Sequence, residues 1–112
     1  MDRLEITART EGGRRVLSVA GEIDMATGGQ FTAAIADNLA ADGPLVLDLT
    51  GVSFLDSSGL WTLLKANKDA TALGVQLCIA VSEPIARVLE LARVEHVLAT
   101  YPDRAAALDG CA

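Results

Sequence analysis

Leu4, Ile6 and Ala8 alternate with Glu5, Thr7 and Arg9, the period of two that marks a strand with one wet face. Glu11-Gly12-Gly13-Arg14 reads as a hairpin turn, its glycines able to take positive φ. The run Arg15-Val16-Leu17-Ser18-Val19-Ala20-Gly21 predicts a second, mostly buried strand. Thr27-Gly28-Gly29-Gln30 has the form of a capping box, a threonine cap with glutamine three residues on. Behind it Phe31, Ile35 and Leu39 recur every four residues, which predicts a first helix running to about Ala41. Two glycines in its first turn cost about 1 kcal/mol each relative to alanine, so the start of this helix is expected to be soft.

Asp42-Gly43-Pro44 stops that helix, and Leu45-Val46-Leu47-Asp48-Leu49 is a continuous apolar strand, as expected inside a parallel sheet. Leu60, Leu63, Leu64, Asn67 and Ala70 form one stripe of a second helix, with Gly74 as its C-cap. Gln76 to Val81 predicts another buried strand. Pro84 suits a helical first turn, and Ile85, Val88, Leu89 and Ala92 follow with the spacing of a third amphipathic helix. Val97-Leu98-Ala99 predicts a short strand, and Pro102 opens an alanine-rich helix to about Leu108. The order is β-β-α-β-α-β-α-β-α. It predicts an α/β fold with a mainly parallel, mixed central sheet and right-handed crossovers.

Length and charge narrow the function. The 112 residues make one domain, 1–112, with no room for a second core. A net charge of -6 disfavours nucleic acid and anionic membranes, both of which are bound through clustered lysine and arginine. The segment Met1-Asp2-Arg3-Leu4-Glu5 has no apolar core of a secretion signal. No apolar run approaches the ~20 residues of a membrane span. A cytoplasmic protein is expected. Cys78 lies in an apolar run and is expected to act as a small core residue, Cys111 to be loose, and no disulfide is expected between them.

Candidate chemistry gathers in Phe54-Leu55-Asp56-Ser57-Ser58-Gly59-Leu60, between the third strand and the second helix. That loop lies at the carboxyl edge of the sheet, where α/β proteins place ligands. Its serines sit at a helix N-terminus, where free N–H groups and the dipole favour an added negative charge. From the residues alone, a helix cap by Asp56 or Ser57 is the plainer reading of the segment, ahead of a phosphate acceptor. Two adjacent hydroxyls exceed what a cap requires, and Gly59 is expected to leave the backbone open around them. His96, the only histidine, has no nucleophile beside it from which a hydrolase triad could be assembled. Asp24, Asp48 and Asp56 have no histidine or cysteine with them to make a metal site. No phosphate-binding glycine loop with its lysine is present, so the chain is not expected to be an enzyme or to hold a cofactor.

Two elements, Gly21-Glu22-Ile23-Asp24 and Asp56-Ser57-Ser58-Gly59-Leu60, make the chain resemble the STAS-domain anti-sigma factor antagonists of bacteria over nearly its whole length. The resemblance implies a STAS fold and a switch worked by phosphorylation. It implies Ser58 as the phosphate acceptor, with Asp24, Asp56, Ser57 and Gly59 supporting the site. It also implies an anti-sigma factor serine kinase as partner, which supplies the ATP, and a serine phosphatase acting on phosphorylated Ser58. Trp61 stands where the family commonly has a small residue. At 100° per residue it falls roughly 120° from the apolar stripe, facing out with Thr62 and Lys65. These three and Thr27 are the expected partner surface. The alternatives are an unphosphorylated STAS adaptor in a lipid-transport or stress-signalling assembly, and an enzyme or small-ligand binder on a flavodoxin-like sheet.

Overall fold

The structure, a computed structural model, describes residues 3–111; Met1, Asp2 and Ala112 lie outside the described residues. The elements are β1 (Leu4–Glu11), β2 (Arg14–Ile23), α1 (Gly28–Asn38), β3 (Leu45–Leu55), α2 (Ser57–Leu73), β4 (Leu77–Val81), α3 (Glu83–Leu91), β5 (Ala99–Tyr101) and α4 (Arg104–Gly110). This is the expected order. The five strands form one mixed sheet in the order β1-β2-β3-β4-β5. β1 runs antiparallel to β2, and the other neighbours are parallel.

Sequential parallel strands joined by crossovers of one hand put their helices on one face. Phe31 and Ile35 of α1, Leu63, Ala66 and Ala70 of α2, and Ile85 and Leu89 of α3 accordingly share one core with Leu17, Leu47 and Ile79 of the sheet. The residues between them in β2, β3 and β4 point the other way, toward α4. Val16, Val46, Cys78 and Ala80 meet Ala107 and Cys111 in a second, smaller core. Asp48 belongs to this second face. That is why a charge interrupts an otherwise apolar strand, and it is paired with Arg104 of α4 at 3.8 Å.

The cysteines depart from expectation. Cys111 is fully buried and joined to Cys78 in a disulfide, with Cα atoms 5.9 Å apart. The β4 register turns Cys78 to the second face, and α4 carries Cys111 back over it.

Several boundaries also differ. α1 stops at Asn38 because the backbone of Leu39 is already extended. β5 begins at Ala99 because Val97 N and Leu98 N are held in a turn by the carbonyl of Val94, at 3.0 and 3.2 Å. α4 is opened by Asp103, whose carboxylate accepts the Ala106 N–H at 2.8 Å, rather than by Pro102. The buried stripe of α2 is Gly59, Leu63, Ala66 and Ala70. Leu60, Leu64 and Asn67 flank it half-buried. Gly74 ends α2 in the left-handed conformation, φ 74°, as its C-cap reading requires.

Candidate phosphoacceptor site

β3 runs six residues beyond Leu49, and this extension builds the site. β3 carries one extra residue opposite the Ser18–Ala20 stretch of β2 and another opposite Gly21–Glu22, and these bulges let the two strands stay paired to Ile23 and Leu55. The first glycine of the Gly21-Glu22-Ile23-Asp24 element has φ 117°, and a Cβ there would strike the Arg3 carbonyl. Only glycine fits that close approach. Asp56 N donates to Ile23 O at 3.0 Å, so the two strands end side by side and release the loops carrying Asp24 and Asp56 at one edge.

Asp56 is the N-cap of α2. Its extended backbone (φ -85°, ψ -179°) is the conformation a cap adopts, and Oδ1 accepts the Gly59 N–H at 2.9 Å. The same oxygen accepts the Ser58 hydroxyl at 2.7 Å. These donors, the Ser58 hydroxyl first and the Gly59 amide second, hold the Asp56 carboxyl below its ordinary value, against a smaller opposing effect of burial. Ser58 is exposed, as is Ser57 in the first helical position. Capping therefore falls to Asp56 and leaves both serine side chains at the surface.

Gly59 does not leave the backbone open, as its position beside the serines suggested. It is buried, and a Cβ there would run into Leu55 Cδ1 and lie 2.9 Å from Ile23 Cγ2. Its smallness serves the core side of the helix and lets α2 start close against the strand ends. The open side is at Gly28, the first residue of α1, where an added Cβ would stand 3.7 Å from Ser58 Oγ. One of the two glycines that soften the start of α1 thus faces the serine across the site.

Asp24 supports the site indirectly. Its Oδ1 accepts the N–H groups of Ala26 at 2.9 Å and Thr27 at 3.2 Å, and its Oδ2 is paired with Arg3. The carboxylate shapes the loop that delivers Gly28. The Thr27 capping box does not form. The Thr27 hydroxyl donates to Glu22 O at 2.7 Å and accepts the Asp24 N–H at 3.0 Å, and the helix start makes no side-chain cap bond. Thr27 is 7% exposed. Its hydroxyl is engaged inside the loop, which removes it from the expected partner surface.

The remaining members of that surface differ from one another. Trp61 is 70% exposed. Thr62, half-buried, donates to Ser58 O at 3.1 Å and meets the Thr32 hydroxyl at 3.1 Å, tying α2 to α1. Lys65 is exposed and pairs with Asp69 one turn on, at 2.8 Å. Sequence reasoning missed Arg3, Gly28 and Thr32. The improbable glycine pair at a helix start was the one signal available for them.

Asp48 lies on the opposite face of the sheet from α2, so Asp24, Asp48 and Asp56 do not converge. Among the described residues no cluster of three or more metal-ligating side chains occurs, and no helix is long and apolar enough to cross a membrane.

Comparison with known proteins finds relatives in sequence and in fold. The chain is 34% identical over 88 residues to the anti-sigma-F factor antagonist RsfB of Mycobacterium tuberculosis, covering 77% of this chain and 70% of that one. The crystal structure of an anti-sigma factor antagonist from Mycobacterium paratuberculosis superposes with a TM-score of 0.85 at 29% identity, covering 96% and 93% of the two chains. The unphosphorylated form of SpoIIAA shares the fold alone, with a TM-score of 0.69 at 17% identity over 96% and 99%. The STAS domain family model matches residues 5–107, nearly the whole of the sheet and helices described above, and the chain belongs to the STAS-domain family.

Proposed function

We propose that this chain is an anti-sigma factor antagonist, a binding protein rather than an enzyme, which works in the cytoplasm as a single domain. Unphosphorylated, it binds an anti-sigma factor serine kinase and frees the sigma factor. Phosphorylation at Ser58 ends that binding, and a serine phosphatase restores it. The observation that carries this reading is the exposed Ser58 hydroxyl at the start of α2, donating to Asp56 at 2.7 Å, with Gly28 opposite, where an added Cβ would stand 3.7 Å away.

The geometry suits both halves of the switch. A carboxylate that accepts the serine proton orients the hydroxyl oxygen toward an incoming phosphoryl group. Once added, the phosphate brings about -1.5 to -2 charges beside a carboxylate held ionised. An acidic partner group brought within about 4 Å of that phosphate, at an effective dielectric of 20, is repelled by about 4 kcal/mol. The helix N-terminus returns at most ~2 kcal/mol. A hundredfold loss of affinity needs only about 2.7 kcal/mol, so a charge placed inside the interface suffices without refolding. Trp61, large and exposed beside this site, is the proposed anchor for the partner, with Lys65 at its edge.

Incubation with ATP and the anti-sigma factor kinases of the same genome tests the assignment. Phosphopeptide mapping should place the label on Ser58 and none on Ser57, and Ser58→Ala should abolish it. Label that persists in Ser58→Ala sinks the assignment. Constitutive partner binding with no phosphorylation by any of these kinases would favour the adaptor reading instead.

A further inference from the structure

α4 is the shortest helix among the described residues. It has seven residues and one buried side chain, Ala107, and a helix that short does not hold its shape in water unaided. Its noncovalent hold on the sheet includes Ala107, half-buried Leu108 and Tyr101 of β5 in the same core, Arg104, which lies 3.8 Å from both Glu11 and Asp48, and Arg14 Nε, which donates to the Cys111 carbonyl. The one covalent tie is the Cys78–Cys111 disulfide, across 33 positions of sequence. Both cysteines are buried, at 1% and 0% exposure, so a reductant reaches them only when this edge of the molecule opens. The main core, with α1, α2 and α3, lies on the other side of the sheet and includes neither cysteine.

We propose that Cys78 and Cys111 form a redox-reversible clasp on α4. Oxidised, the pair staples α4 across the second face of the sheet. Reduced, α4 undocks locally while the sheet and the three helices of the main core stay folded. Undocking uncovers Val16, Val46 and Ala80 and takes Arg104 away from Asp48. The proposal uses the functional reading only for its cytoplasmic setting. There thiols are kept reduced, and disulfides that form are typically transient or redox-sensing.

The exchange partner is a low-molecular-weight disulfide, RSSR. One cysteine thiolate attacks it, releasing one RS⁻ and leaving a mixed disulfide; the second thiolate attacks the protein sulfur and releases the other. The RS–SR bond breaks and the Cys78–Cys111 bond forms. Two electrons pass to the reagent, and the two thiol protons leave with two RSH. A dithiol reductant reverses the step.

Hydrogen exchange on the full chain, equilibrated with oxidised glutathione or with dithiothreitol, tests the clasp alongside a thiol titration. The oxidised protein should show no free thiol. Reduction should speed exchange in residues 104–110 at least tenfold and leave α2 amides unchanged. Cys111→Ser should match the reduced protein under both conditions. Two free thiols after oxidation, unchanged α4 exchange on reduction, or loss of protection throughout α2 would each overturn the proposal. None of these readouts involves Ser58 or a partner, so failure here leaves the phosphorylation reading standing.

Discussion

The Ser58 hydroxyl donates to Asp56 Oδ1 at 2.7 Å, and that oxygen also accepts the Gly59 amide at 2.9 Å. One carboxylate therefore caps α2 and holds the candidate phosphoacceptor. The two roles separate by substitution, because asparagine is as good an N-cap as aspartate but a much poorer proton acceptor. Asp56→Asn should keep its thermal stability within about 0.5 kcal/mol, as changes outside the core generally do. Its rate of phosphorylation should fall at least tenfold, toward the lower end of what a positioned base contributes. Wild-type kinetics in this variant would mean that Asp56 is a cap and nothing more.

The same bond makes a pH prediction. Donors from Ser58 and Gly59 lower the Asp56 pKa in the folded protein below the ordinary 3.8, so the folded state favours the ionised form. Its contribution to stability is fully present above the ordinary value and is lost as pH falls through the lowered one. As pH falls through 3.8 and below, the wild type should lose more stability than Asp56→Asn, whose cap does not titrate. Parallel melting curves for the two proteins would contradict this.

Gly59→Ala tests why the glycine is there. The new methyl would collide with Leu55 and Ile23, and overpacking of this kind costs about 1–3 kcal/mol. The better helix propensity of alanine offsets at most about 1 kcal/mol. Chemical denaturation should therefore show a net loss of about 1–2 kcal/mol. A stabilised variant would place the need for glycine outside packing.

Trp61 should matter to binding and not to folding. Truncating a side chain 70% exposed should change stability by less than about 0.5 kcal/mol, whereas an interface anchor is worth about 2 kcal/mol or more in affinity. Because this is the only tryptophan in the chain, its fluorescence should sit at long wavelength in the free protein and shift blue when the anti-sigma factor binds. An emission unmoved by a bound partner would put the interface elsewhere.

The alternation of strands and helices was legible because each element carries its own period, and the loop before α2 because hydroxyls and glycine break that period together. Contacts between distant segments were not. Thr27-Gly28-Gly29-Gln30 has the letters of a capping box, yet the preceding loop offers the Thr27 hydroxyl the Glu22 carbonyl and the Asp24 amide instead. Gly59 reads locally as an open backbone, but the space beside it is taken by Leu55 and by Ile23, the latter thirty-six positions earlier. Cys111 reads as a loose thiol because nothing near it in sequence is apolar enough to bury it. Its burial depends on the face to which the β4 register turns Cys78.

The central claim is that charge on Ser58 ends partner binding. Calorimetric titration of the cognate anti-sigma factor into unphosphorylated and stoichiometrically phosphorylated protein measures it directly. The account predicts an affinity at least about a hundredfold weaker after phosphorylation, a difference of about 2.7 kcal/mol, with unchanged circular dichroism. Equal affinity of the two forms would contradict it.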